Sequence, residues 1–171
     1  NGIFKYKTEG NGNSILVLGS YHIEETRHTL KLMASMGQYL FKGHPVVKNS
    51  VFKNELGQNR IVTEKSVYDL FACSKIVVTA ASGVAVEAVA CGLSVIIVAK
   101  AGETMDQNFL VDIGNGKIWD LAFNEEDLIE KFQNLLSFRE ERPYEIESIA
   151  NWYKHNFFVE PTKTNILKLF S

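Results

Sequence analysis

The stretch TAASGVAVEAVACG, residues 79–92, decides how the rest of the chain is read. The β-branched run Ile76-Val77-Val78 precedes it, and a second apolar run over 95–98 follows. Between them, small residues at 80–83 lead into about two helical turns. The pattern is strand, small-residue turn, helix, strand. No bulky side chain guards the turn, so a ligand has access to backbone N–H groups at the positive end of a helix dipole. Serine is also a common N-cap, so a plain cap at Ser82 is the competing reading. Glu87 follows one turn later, on a helix otherwise built of alanine and valine. A carboxylate in that company faces either solvent or a ligand.

Working outward, residues 14–19, SILVLG, form a first strand, apolar throughout as a strand buried on both faces should be. A loop at 19–22 leads to a helix over 23–36, with Leu30, Met33 and Ala34 on one side. A second strand over 38–42 is broken by Gly43-His44-Pro45. Residues 46–58 are ambiguous, with a short helix ending near Gly57 as one reading. A short strand at 60–63 precedes a helix at 66–74 that Ser66 caps. Strands at 76–79 and 94–99 flank the central helix at 84–91. Beyond a polar loop at 102–106, the pattern predicts a short helix over 107–113 and a sixth strand at 117–119. Asn124 caps an amphipathic helix to about residue 138, and Pro143 and Pro161 open two more.

This alternation implies an α/β, three-layer Rossmann-like domain: a parallel sheet of about six strands with helices on both faces. Residues 1–13, rich in glycine, asparagine and charge, read as a linker or ragged start. Residues 14–171 read as a single domain, with 143–171 as its C-terminal helices.

Composition narrows the function classes. A net charge of −2 gives no reason to expect nucleic acid or an anionic membrane as partner. Apolar runs are far shorter than a transmembrane segment, and the polar, charged start carries no secretory pattern, so a cytoplasmic address is expected. Cys73 and Cys91 sit apart in apolar surroundings and read as reduced thiols, with no metal site. The sequence has no Walker-type loop, and no Gly-x-Gly-x-x-Gly follows the first strand, which argues against a dinucleotide oxidoreductase.

In parallel α/β sheets, ligands bind at the carboxyl ends of the strands. Small and polar residues gather there in the loops at 19–22, 43–45, 80–83 and 102–107. Gly19 and Ser20 either cradle an acceptor or phosphate, or only turn the chain. His44 is either a loop histidine or a donor to a phosphate or leaving group, and Lys42, two residues earlier, shares its face or lies on the surface. Asp106 and Gln107 offer a carboxylate and an amide to sugar hydroxyls, or a polar helix start. His28 reads as solvated helix surface. The central turn with Glu87 reads as a nucleotide-sugar site, phosphate on the turn and ribose on Glu87.

These residues resemble the C-terminal, donor-binding domain of GT-B glycosyltransferases, over about residues 14–138. The resemblance is carried by KGHP at 42–45, by the stretch from Ser66 through TAASGVAVEAVACGLSVIIV, and by Asp106-Gln107. It implies that Ser82, Gly83 and Val84 contact the diphosphate, that Glu87 holds the ribose, and that Asp106 and Gln107 hold the transferred sugar. The donor implied is a nucleotide-sugar, by family default a UDP-sugar, with no separate cofactor. Ser94 stands where the family usually has proline. Thr79 stands where many retaining members carry a second glutamate, which favours an inverting enzyme and leaves the stereochemistry open. His22 is the best local candidate for a base, with His44 beside it. The resemblance further implies an N-terminal acceptor-binding domain, in the same chain or as a partner subunit, and contact with the inner membrane face through that half. The expected function is the donor half of a glycosyltransferase of bacterial surface-glycan synthesis. A nucleotide-sugar 2-epimerase or hydrolase of the same fold, or a non-catalytic nucleotide-binding or scaffold domain, are the alternatives.

Overall fold

Successive residues of an extended strand point to opposite faces, and the core divides along that alternation. Leu16, Leu18, Val77, Val95 and Ile97 face one hydrophobic cluster. Val17, Ile76, Val78, Ile96 and Val98 face a second. Both sides of each central strand are therefore buried, which explains its unbroken apolar sequence.

The computed structural model describes residues 2–5, 12–80, 82–100 and 108–168. Its strands are β1 (Ser14–Leu18), β2 (Leu40–Lys42), β3 (Arg60–Ile61), β4 (Ser74–Thr79), β5 (Ser94–Val98) and β6 (Trp119–Ala122). They form one six-stranded sheet in the order β3-β2-β1-β4-β5-β6. Every pairing is parallel. The expected three-layer Rossmann-like architecture is what the chain adopts.

The helices are α1 (Gly2–Lys5), α2 (Ile23–Leu32), α3 (Lys53–Leu56), α4 (Val67–Ala72), α5 (Gly83–Ala90), α6 (Glu125–Glu141), α7 (Pro143–Phe157) and α8 (Lys163–Lys168). Residues of α4, α5 and α7 fill the first cluster, while α2, α3 and α6 fill the second. The segment read as a linker contains α1, whose Ile3 is buried in the first cluster. Ser66 caps α4 in a reciprocal box with Asp69. Asn124 caps α6 through the Asp127 N–H.

Three segments depart most from the sequence reading. The ambiguous segment resolves into a 3-10 turn, Asn49–Phe52, running into α3. The expected helix over 107–113 is absent at 108–113, because side chains take that segment's backbone groups. Tyr153 Oη lies 2.8 Å from the Val111 carbonyl and 2.9 Å from that of Ile113, and Trp119 Nε1 donates to Ile113 over 3.0 Å. The sixth strand starts two residues late, since the N–H groups of Lys117 and Ile118 both turn back to the Gly114 carbonyl.

At the far end of α5, Gly92 adopts φ 80° and lets the chain reverse into β5. Ser94 is fully buried, and its hydroxyl has no hydrogen-bond partner among the described residues.

Candidate functional site

In this strand order the chain runs outward in both directions from β1 and β4, so a crevice opens between their carboxyl ends. Leu18 and Thr79 are the last register partners of these two strands. The loop carrying Gly19 and Ser20 leaves one side, and the turn carrying Ser82 and Gly83 leaves the other. Thr79 is buried at the end of β4.

On the β4 side, Ser82 has an extended N-cap backbone, yet its hydroxyl caps nothing. The oxygen is buried and has no hydrogen-bond partner among the described residues. Ser82 thus holds the N-cap position without a side-chain cap, and among the described residues no other side chain caps the start of α5. Ala85 N–H donates to the Ser82 carbonyl over 3.1 Å. The first-turn groups of Gly83 and Val84 have no acceptor within the helix. A Cβ placed on Gly83 meets nothing within 4 Å among the described residues, so a ligand can reach this backbone closely.

Glu87 lies four residues beyond Gly83, hence on the same face and about 6 Å along the axis. Side chains lean toward the helix N-terminus, which brings the carboxylate back toward the turn. Glu87 is half-buried, and Tyr68 of α4 donates to its Oε2 over 2.6 Å. Burial first, and then this bond to a carboxylate, hold the Tyr68 hydroxyl well above its ordinary value. The sequence reading missed Tyr68. It lies 19 residues before Glu87 on a different helix, and no periodicity links the two.

On the β1 and β2 side the picture is different. Ser20 is committed to its own loop: Oγ donates to Glu25 over 2.6 Å, and its N–H donates to Thr26 Oγ1 over 2.9 Å. Gly19 sits in close packing: a Cβ there would lie 3.2 Å from Gly43, 3.3 Å from the Phe41 ring and 3.4 Å from the His44 backbone. Lys42 turns its ammonium to the carbonyls of Thr63 and Lys65, at 3.4 and 2.8 Å. His22 and His44 both contact the Tyr21 ring edge-on, at 5.5 and 5.6 Å. His44 Nδ1 accepts from Val46 N–H over 3.4 Å. A groove of about 600 Å³ opens beside them, lined by Tyr21, His22, Ile23, Glu24, Val46 and Val47. His28, read as solvated surface, is half-buried, with Nε2 enclosed and without a hydrogen-bond partner among the described residues.

The structure thus sorts the candidates into two groups at one edge. Ser82, Gly83, Val84 and Glu87 share the start of α5, while His22 and His44 meet around Tyr21. His22 follows β1, one strand spacing from β4, and His44 follows β2, two spacings or about 10 Å from it. Asp106 and Gln107 lie outside the described residues. Among the described residues, no three His, Cys, Asp or Glu side chains converge as a metal site requires. No helix among them is long and apolar enough to cross a membrane.

Strand order and layering make this a Rossmann-like α/β fold, the kind found in each domain of GT-B structures. No family model matches the sequence, and no curated protein matches it. Among solved structures, the wall teichoic acid polymerase TagF is similar at a TM-score of 0.56 and 14% identity, over 86% of this chain and 42% of that one. UDP-GlcNAc 2-epimerase from Neisseria meningitidis, bound to UDP-GlcNAc, is similar at 0.51 and 20%, over 84% and 40%. A putative UDP-N-acetylglucosamine 2-epimerase from Listeria monocytogenes gives 0.50 and 15%, over 88% and 41%. The chain spans about two-fifths of the length of the structures it matches.

Proposed function

We propose that this chain binds the nucleoside diphosphate part of a sugar donor at the carboxyl edge of its sheet. The diphosphate lies on the open start of α5, at Ser82, Gly83 and Val84, and the ribose lies on Glu87. The observation that carries the reading is the uncapped N-terminus of α5, at the switch point, with a carboxylate one turn beyond it. N–H groups and a helix dipole attract phosphate, while a carboxylate repels it and accepts from hydroxyls instead. The spacing therefore fits a ligand with an anionic end and a diol end. Likeness in fold to TagF and to an epimerase bound to UDP-GlcNAc supports the same ligand class.

In this reading the chain is the donor half of a glycosyltransferase of surface-glycan synthesis, working in the cytoplasm, and a UDP-sugar is the donor expected. A second domain supplies the acceptor and completes the cleft, because transfer needs both reactants held in register. Asp106 and Gln107 are assigned to the transferred sugar, and His22 and His44 to the acceptor side. The epimerase likeness keeps a nucleotide-sugar 2-epimerase as the second reading.

Calorimetric titration with UDP, CDP, GDP and their sugars tests the site. One nucleotide should bind, and Glu87→Ala should weaken it by about 1–3 kcal/mol, roughly five- to a hundredfold. Failure of all three to bind at millimolar concentration, in this chain and in the full-length protein, would refute the proposal. Product analysis on the full-length protein separates transfer to an acceptor from epimerised sugar.

A further inference from the structure

We infer that Tyr68 is a positioning residue for ribose recognition: its hydroxyl holds one oxygen of Glu87 and turns the other toward the ligand. The inference rests on the donor-site reading above and extends it to a residue on a different helix. A glutamate side chain has three rotatable bonds, and holding it in one conformation costs entropy unless a contact fixes it. Tyr68 supplies the missing constraint. Its own position is fixed from two sides. The reciprocal Ser66–Asp69 cap sets the start of α4 two residues before it. The ring sits edge-on to Phe71, 5.8 Å between centroids at 85°, and Phe71 is fully buried. The hydroxyl then meets Glu87 Oε2 at 2.6 Å, a short, charge-assisted bond. No further hydrogen bond to this carboxylate is found among the described residues, so Oε1 remains to accept from a ribose hydroxyl.

The test is a titration of wild type, Tyr68→Phe and Glu87→Gln with UDP, CDP and GDP, and with the 2′-deoxy and 3′-deoxy forms of whichever binds. Tyr68→Phe keeps the ring and its packing, and an unchanged thermal midpoint verifies the fold. The expected result is a five- to tenfold loss of affinity for the ribonucleotide with no change for the deoxy form that lacks the Glu87 contact. The preference for ribose then falls in Tyr68→Phe as it does in Glu87→Gln. An unchanged preference in Tyr68→Phe beside a lost one in Glu87→Gln would overturn the role of Tyr68 and leave the donor site standing. An unchanged preference in both variants, or a wild-type protein that binds none of the three nucleotides, would overturn the donor-site reading and this inference with it.

Discussion

Arg139 of α6 reaches the carbonyl of Gly92, 2.6 Å away, at the turn where α5 gives way to β5. The bond joins the two helical layers at the end of α5 remote from the candidate site, and places a cation on the negative end of its dipole. Gly92 itself is held at φ 80°. The end of the helix is thus closed by a charge-assisted hydrogen bond, while at its beginning the Ser82 side chain makes no cap bond. Arg139→Ala leaves that carbonyl without its donor and should lower unfolding stability by about 1–3 kcal/mol. Urea melts check this, and a loss below about 0.5 kcal/mol would show the bond to be incidental.

Ser82→Ala separates a cap from a ligand contact. A capping serine costs about 1 kcal/mol when removed. Because the Ser82 hydroxyl caps nothing, the unliganded variant should melt within about 0.5 kcal/mol of wild type. Its nucleotide affinity should nevertheless fall roughly fivefold or more. The reverse outcome, lost stability with intact binding, restores the structural reading of this serine.

Tyr153 is fully buried and ties α7 to the segment leading into β6, through the backbone of Val111 and Ile113. Tyr153→Phe keeps the ring and removes those bonds, at an expected cost of about 1–3 kcal/mol. Amide hydrogen exchange should quicken first at 111–113, before any change in the β-sheet. Uniform quickening across the chain would mean that Tyr153 supports the whole core and not this segment.

Alkaline pH should destabilise the protein. Burial lifts the hydroxyls of Tyr39, Tyr68 and Tyr153 above their ordinary value of 10.0, and pushes the Cys91 thiol from 9.0 up to about 12. The folded chain therefore keeps protons that the unfolded chain releases. The contribution to stability is complete below the unfolded values and is lost as pH rises through them toward the folded ones. Denaturation midpoints should hold steady between about pH 7 and 8 and fall at about pH 10. A flat profile to about pH 10.5 would contradict these shifts.

Much of this architecture is readable before any coordinates, because it depends on neighbours in the chain. The apolar run Ile76-Val77-Val78 marks a strand buried on both faces, and Ser66 with Asp69 three residues on marks a helix start. The irregular course of residues 108–113 is not readable that way. It is set by Tyr153 and Trp119 side chains acting on Val111 and Ile113, and Tyr153 is about 40 residues away. The site divides along the same line. The open turn before Glu87 follows from small residues in sequence, whereas the Tyr68 bond to Glu87 joins two helices that only the fold brings together. Ser20 shows the converse. It reads equally as a turn or a cradle, and its hydroxyl is taken by Glu25 in the first turn of the helix that follows.

The central claim is that phosphate sits on the first N–H groups of α5. The most direct measurement is a titration of ¹⁵N-labelled protein with UDP, CDP and GDP, following individual amides by NMR. The account predicts that the binding nucleotide shifts the resonances of Gly83 and Val84 most strongly, and that free phosphate at high concentration shifts the same two. Saturating nucleotide that leaves both amides in place while moving resonances elsewhere would contradict it, and the start of α5 would then be no phosphate site.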